Sequence, residues 1–158
     1  MPRSATLVFT LLVTSGSVNA QDVKWRHDYA AARKESAQTG KPLLIDFGTE
    51  WCGPCKKLEA TTFRDPKVVA ALNDGFVPVK LDGDKEKSLV GAMAVDGFPT
   101  LIVAGADGKV LARRSGFVTP AQLTDLLGKA PPAPPRPPEF DADRTLFRVL
   151  LAGTARGH

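Results

Sequence analysis

The segment PLLIDFGTEWCGPCKKLEATTF, residues 42–63, constrains this chain more than any other. An almost unbroken apolar run, residues 42–48, passes within a few residues into Cys52-Gly53-Pro54-Cys55. A short continuous run of this kind suits a central strand buried on both faces. Residues 52–63 then read as a helix with Pro54 in its first turn, where a missing N–H costs nothing. The two cysteines are the only ones in 158 residues. A disulfide between residues three apart closes a tiny loop and removes little chain entropy, so a structural staple explains the pair poorly. Zinc normally takes four protein ligands, and the only histidines are His27 and His158. A c-type haem anchor requires histidine directly after the second cysteine, where Lys56 stands. Redox chemistry remains.

The rest of the chain supplies a scaffold. Residues 25–42 read as a first helix, with Gly40 as C-cap and Pro42 as its stop. Asp65-Pro66 reads as an N-cap and first helical residue, opening a helix through about Asn73. Residues 76–82 and 99–105 are strand-like, with a weaker helix over 84–95 between them. Asp107-Gly108 is a hairpin signal that returns residues 109–116 antiparallel. Residues 119–130 read as a helix opened by a Thr119–Gln122 capping box with Pro120 at its first position. Strands separated by helices imply parallel pairing by crossover, with the last hairpin adding an antiparallel edge. The expected class is α/β, a mixed central sheet with helices on both faces.

The ends differ in composition. Arg3 is followed by a short apolar run, residues 5–13, and by small residues at Val18 and Ala20. This is the pattern of a secretory signal peptide over residues 1–20, cleaved near Ala20, and the run is too short to span a bilayer. The domain is expected over 21–130. Residues 131–138, PPAPPRPP, read as an extended polyproline II linker. The tail, 139–158, reads as frayed chain or a short amphipathic helix carrying Leu146, Phe147, Leu150 and Leu151. The formal charge is +4, yet acids and bases alternate without a basic run, which argues against nucleic-acid binding.

At the carboxyl end of strand 42–48, Cys52 falls where a helix begins. Unpaired N–H groups and the positive end of the helix dipole favour its thiolate. Cys55 lies one turn later, within disulfide reach. Cys52 is therefore expected to be the exposed nucleophile and Cys55 the residue that resolves the mixed disulfide. Gly53 admits a substrate backbone and Pro54 stiffens the loop. Asp46, a carboxylate inside an apolar run, is expected to be buried with a raised pKa, a suitable base for Cys55.

WCGPCK at 51–56, with the strand before it and the helix after it, resembles the active-site sequence of the thioredoxin superfamily. The resemblance runs from about Trp25 to Lys129. It is strongest toward secreted thioredoxin-like proteins and the C-terminal periplasmic domain of bacterial thiol:disulfide interchange proteins. It implies a three-layer α/β/α sandwich. It also implies that GFPT, 97–100, is a cis-proline loop, with Pro99 beside the disulfide and the Phe98 backbone offered to substrate. Trp51 becomes a wall of the site and Gly116 lies near the groove. Asp46 assists proton transfer at Cys55, and Lys80 is the lysine paired with it. Three features depart from the cytosolic pattern: Gly48 replaces a common aromatic, Leu58 and Glu59 stand where a helix-kinking proline is usual, and an export signal precedes the domain.

The expected function is an extracytoplasmic thiol–disulfide oxidoreductase, periplasmic or secreted, that reduces protein disulfides. No cofactor or metal is implied. Electrons are expected from a membrane thiol:disulfide interchange protein, substrates are disulfide-containing proteins, and the protein is expected to be a monomer. The competing readings are a disulfide-donating oxidase or isomerase, and a peptide-binding, chaperone-like module with a partner-recruiting tail. Only 43 residues separate Cys55 from Pro99, which leaves no room for the large inserted helical domain common in family oxidases.

Overall fold

The computed structural model describes residues 22–132. The leader read at 1–20, most of the 131–138 linker and the 139–158 tail lie outside the described residues. The central strand β1 (Leu43–Gly48) is buried at all six positions. Side chains of a strand alternate between faces, and both faces of β1 are covered. Leu43, Ile45 and Phe47 pack with Val77, Val79 and Ile102 in one core. Leu44 packs with Leu58, Val68, Leu72, Leu101 and Leu123 in the other. Asp46 and Gly48 share the face of Leu44.

The sheet order is β2 (Val77–Asp82), β1, β3 (Thr100–Ala104), β4 (Val110–Ser115). Helices α1 (Tyr29–Thr39) and α4 (Lys87–Ala92) contribute Ala32, Leu89 and Val90 to the first core. Helices α2 (Gly53–Ala60), α3 (Pro66–Gly75) and α5 (Pro120–Leu127) contribute Leu58, Val68 and Leu123 to the second. The result is a three-layer α/β/α sandwich with a mixed sheet.

The strand β2 pairs parallel to β1, as the alternation of elements implies. However, β3 runs antiparallel to β1, with Thr100 opposite Phe47. A parallel crossover needs a dozen or more residues, usually helical. The connection, residues 83–99, is long enough but holds only the six-residue helix α4, and the chain enters β3 at the end of the sheet where β2 leaves it. The helix expected over 25–42 is shorter because Asp28 caps it, its side chain accepting from the Ala31 N–H. Upstream, Arg26 is held extended, bridging to Val79 at the β2 edge. The helix expected over 52–63 stops at Ala60. The chain tightens into a 3-10 turn, Thr62–Arg64, anchored where Thr62 Oγ1 donates to the Val118 carbonyl at 2.6 Å. Both remaining caps form as read: Asp65 accepts from Lys67 and Val68 N–H groups, and Thr119 and Gln122 close a reciprocal capping box.

Candidate active site

The strand β1 ends beside the N-terminus of α2, and Cys52 is the N-cap of that helix. Its φ and ψ, −77° and 106°, are extended rather than helical. This geometry turns Sγ toward the helix, where it accepts the Cys55 N–H at 3.2 Å. Cys52 and Cys55 are joined as a disulfide with Cα atoms 5.3 Å apart. A thiolate released at Cys52 would meet a backbone donor and the positive end of α2, both of which lower a thiol pKa. The sequence led us to expect Cys52 as the exposed member of the pair. Instead, the two are 4% and 5% exposed, because the cap conformation folds Cys52 Sγ inward against the Cys55 amide. What distinguishes the sulfurs in the disulfide form is the capping position, not exposure.

Trp51 is 70% exposed. It is held by a hydrogen bond from Nε1 to Asp84 Oδ2 at 2.8 Å and stands edge-on to Phe98, ring centroids 6.2 Å apart. The Phe98–Pro99 peptide is cis, the geometry the resemblance implies. Pro99 is buried, and its carbonyl accepts the Gly116 N–H at 2.8 Å. Gly116 has φ of +84°, a left-handed conformation that glycine adopts without strain, so the turn after β4 reaches the proline loop. The loop is also tied by Thr100 Oγ1, which donates to the Gly97 carbonyl. Thus Trp51, Phe98, Pro99 and Gly116 are brought to one end of the sheet with the cysteines. Gly53 and Pro54 form the first turn of α2.

Asp46 is buried with Oδ1 lacking a hydrogen-bond partner among the described residues. Burial pushes its pKa up to about 7; Lys80 opposes the rise and Glu59 adds to it. Lys80 lies directly across from Asp46 in the parallel register, but its ammonium forms an ion pair with Glu59. Lys80 therefore acts on Asp46 through space, while Glu59, reaching from α2, holds the lysine head in an ion pair. Glu59 and Asp84 were missed as site residues. Glu59 had a signal, since it stands where a proline was expected. Asp84 sat in a charged stretch, residues 82–87, that reads as a solvated helix start, and only the fold brings it to Trp51. Lys57 lies over the Phe117 ring at 4.6 Å. Among the described residues no group of His, Cys, Asp and Glu is placed to hold a metal ion, and no helix is long and apolar enough to cross a membrane.

The fold and site define an α/β protein with a dithiol–disulfide pair at a helix N-terminus, flanked by a cis-proline loop and a buried carboxyl group. The chain belongs to the thioredoxin-like domain family, whose model matches residues 29–131. It is 34% identical over 90 residues to the thiol:disulfide interchange protein DsbD of Salmonella paratyphi A, covering 54% of this chain and 16% of that protein. The DsbD of Vibrio vulnificus is 37% identical over 94 residues, 56% of this chain and 16% of that one. The chain thus spans about one sixth of the length of these curated relatives. Among solved structures, a putative disulphide-isomerase from Bacteroides thetaiotaomicron is 31% identical with a TM-score of 0.58, covering 70% of this chain and 91% of that one. A DsbH oxidoreductase is 23% identical with a TM-score of 0.63, covering 77% and 94%, and shares the fold.

Proposed function

We propose that this protein is an extracytoplasmic thiol–disulfide oxidoreductase that works in the reducing direction on protein disulfides. The observation that carries the reading is Cys52 as N-cap of α2, disulfide-bonded to Cys55 and accepting its N–H. In the reduced protein the Cys52 thiolate attacks one sulfur of a substrate disulfide. The other substrate sulfur leaves as a thiolate and takes up a proton. Cys55 gives its proton to Asp46, the buried base with a pKa near 7, and attacks Cys52 Sγ. The Cys52–Cys55 bond forms, the mixed disulfide breaks, and the second substrate thiol departs. Two electrons pass to the substrate. Trp51, Phe98, Pro99 and Gly116 frame the groove. The Phe98 N–H and C=O make no hydrogen bond among the described residues, so an extended substrate segment can pair with them in strand fashion.

The signal-peptide pattern at 1–20 and the likeness to DsbD support a periplasmic or secreted location. They also support a membrane thiol:disulfide interchange protein as electron donor. Substrates are disulfide-containing proteins, no cofactor is needed, and the working unit is a monomer. The test is the redox equilibrium of Cys52–Cys55 against glutathione buffers. A potential near about −270 mV supports the reductase; one near about −120 mV makes the protein a disulfide donor and overturns the direction. Loss of disulfide reduction in Cys52→Ser is expected, and unchanged activity would overturn the assignment of the nucleophile.

A further inference from the structure

The outer strands β2 and β4 both finish at the disulfide end of the sheet. Asp82 is level with Gly48, and Phe47 with Thr100, which is level with Ser115. Asp84 stands two residues beyond β2, and Phe117 two residues beyond β4. Three strand spacings, about 14 Å, separate those two edges. Strand β1, which leads to Cys52, and strand β3, which follows Pro99, lie between them. On the β2 side Asp84 Oδ2 accepts from Trp51 Nε1 at 2.8 Å, and Trp51 stands edge-on to Phe98. On the β4 side Lys57 Nζ lies 4.6 Å from the centroid of the Phe117 ring. Phe117 follows Gly116, whose N–H is bonded to the Pro99 carbonyl. Lys57 comes four residues after Gly53, so both project from one face of α2, and both are exposed. Contact with a ring face holds an ammonium without neutralising it. Neither Lys57 nor Asp84 joins an ion pair among the described residues. Two opposite charges, each fixed on an aromatic ring, thus flank the disulfide and the proline loop.

We infer that Lys57 and Asp84 select the substrate segment by charge: Lys57, held on Phe117, takes an acidic side chain on one side of the substrate cysteine, and Asp84, held on Trp51, takes a basic one on the other. The inference rests on the exchange reading of the site and names the class of segment the groove accepts, an extended stretch with opposite charges flanking its cysteine. The Phe98 backbone grips such a segment near the cysteine. At about 3.3 Å per residue, side chains two positions to either side reach the two edges, and they share the face of the cysteine. A segment lying the right way round meets two attractions, and the reversed one meets two repulsions. Complementarity of this kind sets orientation and on-rate more than raw affinity.

The test oxidises the reduced protein with the disulfide-linked dimers of two isomeric peptides, Ala-Glu-Ala-Cys-Ala-Lys-Ala and Ala-Lys-Ala-Cys-Ala-Glu-Ala, and follows single turnovers by intact mass. The two peptides carry the same net charge, so long-range steering is equal and only the placement of charge differs. One isomer is expected to react about fivefold faster or more at low salt, with the ratio shrinking as salt is added. Lys57→Gln is expected to cut that ratio at least about twofold, and Lys57→Arg, which keeps the charge, to preserve it. Circular dichroism checks that each variant is folded. Equal rates for the two isomers overturn the inference. A ratio that Lys57→Gln leaves unchanged belongs to the peptides and overturns the role of Lys57, and a ratio lost equally in Lys57→Gln and Lys57→Arg overturns the role of its charge. Failure of both peptides to oxidise the protein overturns the exchange reading, and this inference with it.

Discussion

Lys80 lies directly across the β1–β2 pair from Asp46, yet its ammonium is ion-paired with Glu59 of α2. The buried acid thus sits behind a cation that is already committed. Lys80 holds the Asp46 pKa down and Glu59 pushes it up, while burial dominates both. Glu59→Gln is expected to lower the Asp46 pKa below 7, because it removes a repelling charge and releases Lys80. Lys80→Met is expected to raise it. Carboxyl carbon shifts followed by NMR across pH measure both, and movement in the same direction would contradict the arrangement.

Asp46 also makes stability depend on pH. Its folded pKa of about 7 lies above the ordinary value of 3.8, so the folded state binds more protons than the unfolded chain between those values. The stability contribution is therefore fully present below pH 3.8 and lost as pH rises to about 7. Asp46→Asn removes the ionisation and keeps the shape. It is expected to stabilise the protein at about pH 8 by on the order of 4 kcal/mol and to do little at about pH 4. Denaturant melts of the oxidised proteins at the two pH values give the comparison. The same variant should slow resolution of the mixed disulfide more than its formation, since only Cys55 needs the base.

The two cysteines are separable by trapping. Cys55→Ser is expected to accumulate a mixed disulfide between Cys52 and a protein substrate, because attack proceeds and resolution does not. Cys52→Ser is expected to form none with a protein substrate. Non-reducing gels or intact mass after mixing with an oxidised protein read the outcome, and trapping of protein substrate through Cys55 would reverse the roles.

Asp84 positions Trp51. The bond from Nε1 is exposed, so Asp84→Ala should cost about 1 kcal/mol of stability or less. Its larger effect is expected on substrate binding, a rise in KM with kcat nearly kept, and on Trp51 fluorescence. A fall in kcat alone would give Asp84 a different role.

The second core depends on Leu58, on the inner face of α2 and 1% exposed. Leu58→Ala is expected to cost about 2–5 kcal/mol and to loosen α2 beneath the cysteines. Denaturant melts measure the cost, and a change within about 0.5 kcal/mol would mean that α2 is held by other contacts.

Much of this was readable along the chain because it is local physics. The apolar run 43–48, the caps at Asp65 and Thr119, the Asp107-Gly108 turn and the cysteine spacing each act over a few residues, and each appears where those residues place it. Burial of Asp46 followed from its apolar neighbours. The direction of β3 did not, because it depends on the end of the sheet to which residues 83–99 return the chain, and the sequence does not show that sheet.

What the sequence by itself determined is the pair Cys52–Cys55 at a helix start after a buried strand, and an acid placed to be buried near it. What only the tertiary structure decided is which groups surround them. Glu59 with Lys80, Asp84 with Trp51, and the Gly116 amide with the Pro99 carbonyl are contacts across 21, 33 and 17 residues of chain. Such pairings are set by strand register and helix packing, and side-chain distances across elements do not exist until the sheet has formed.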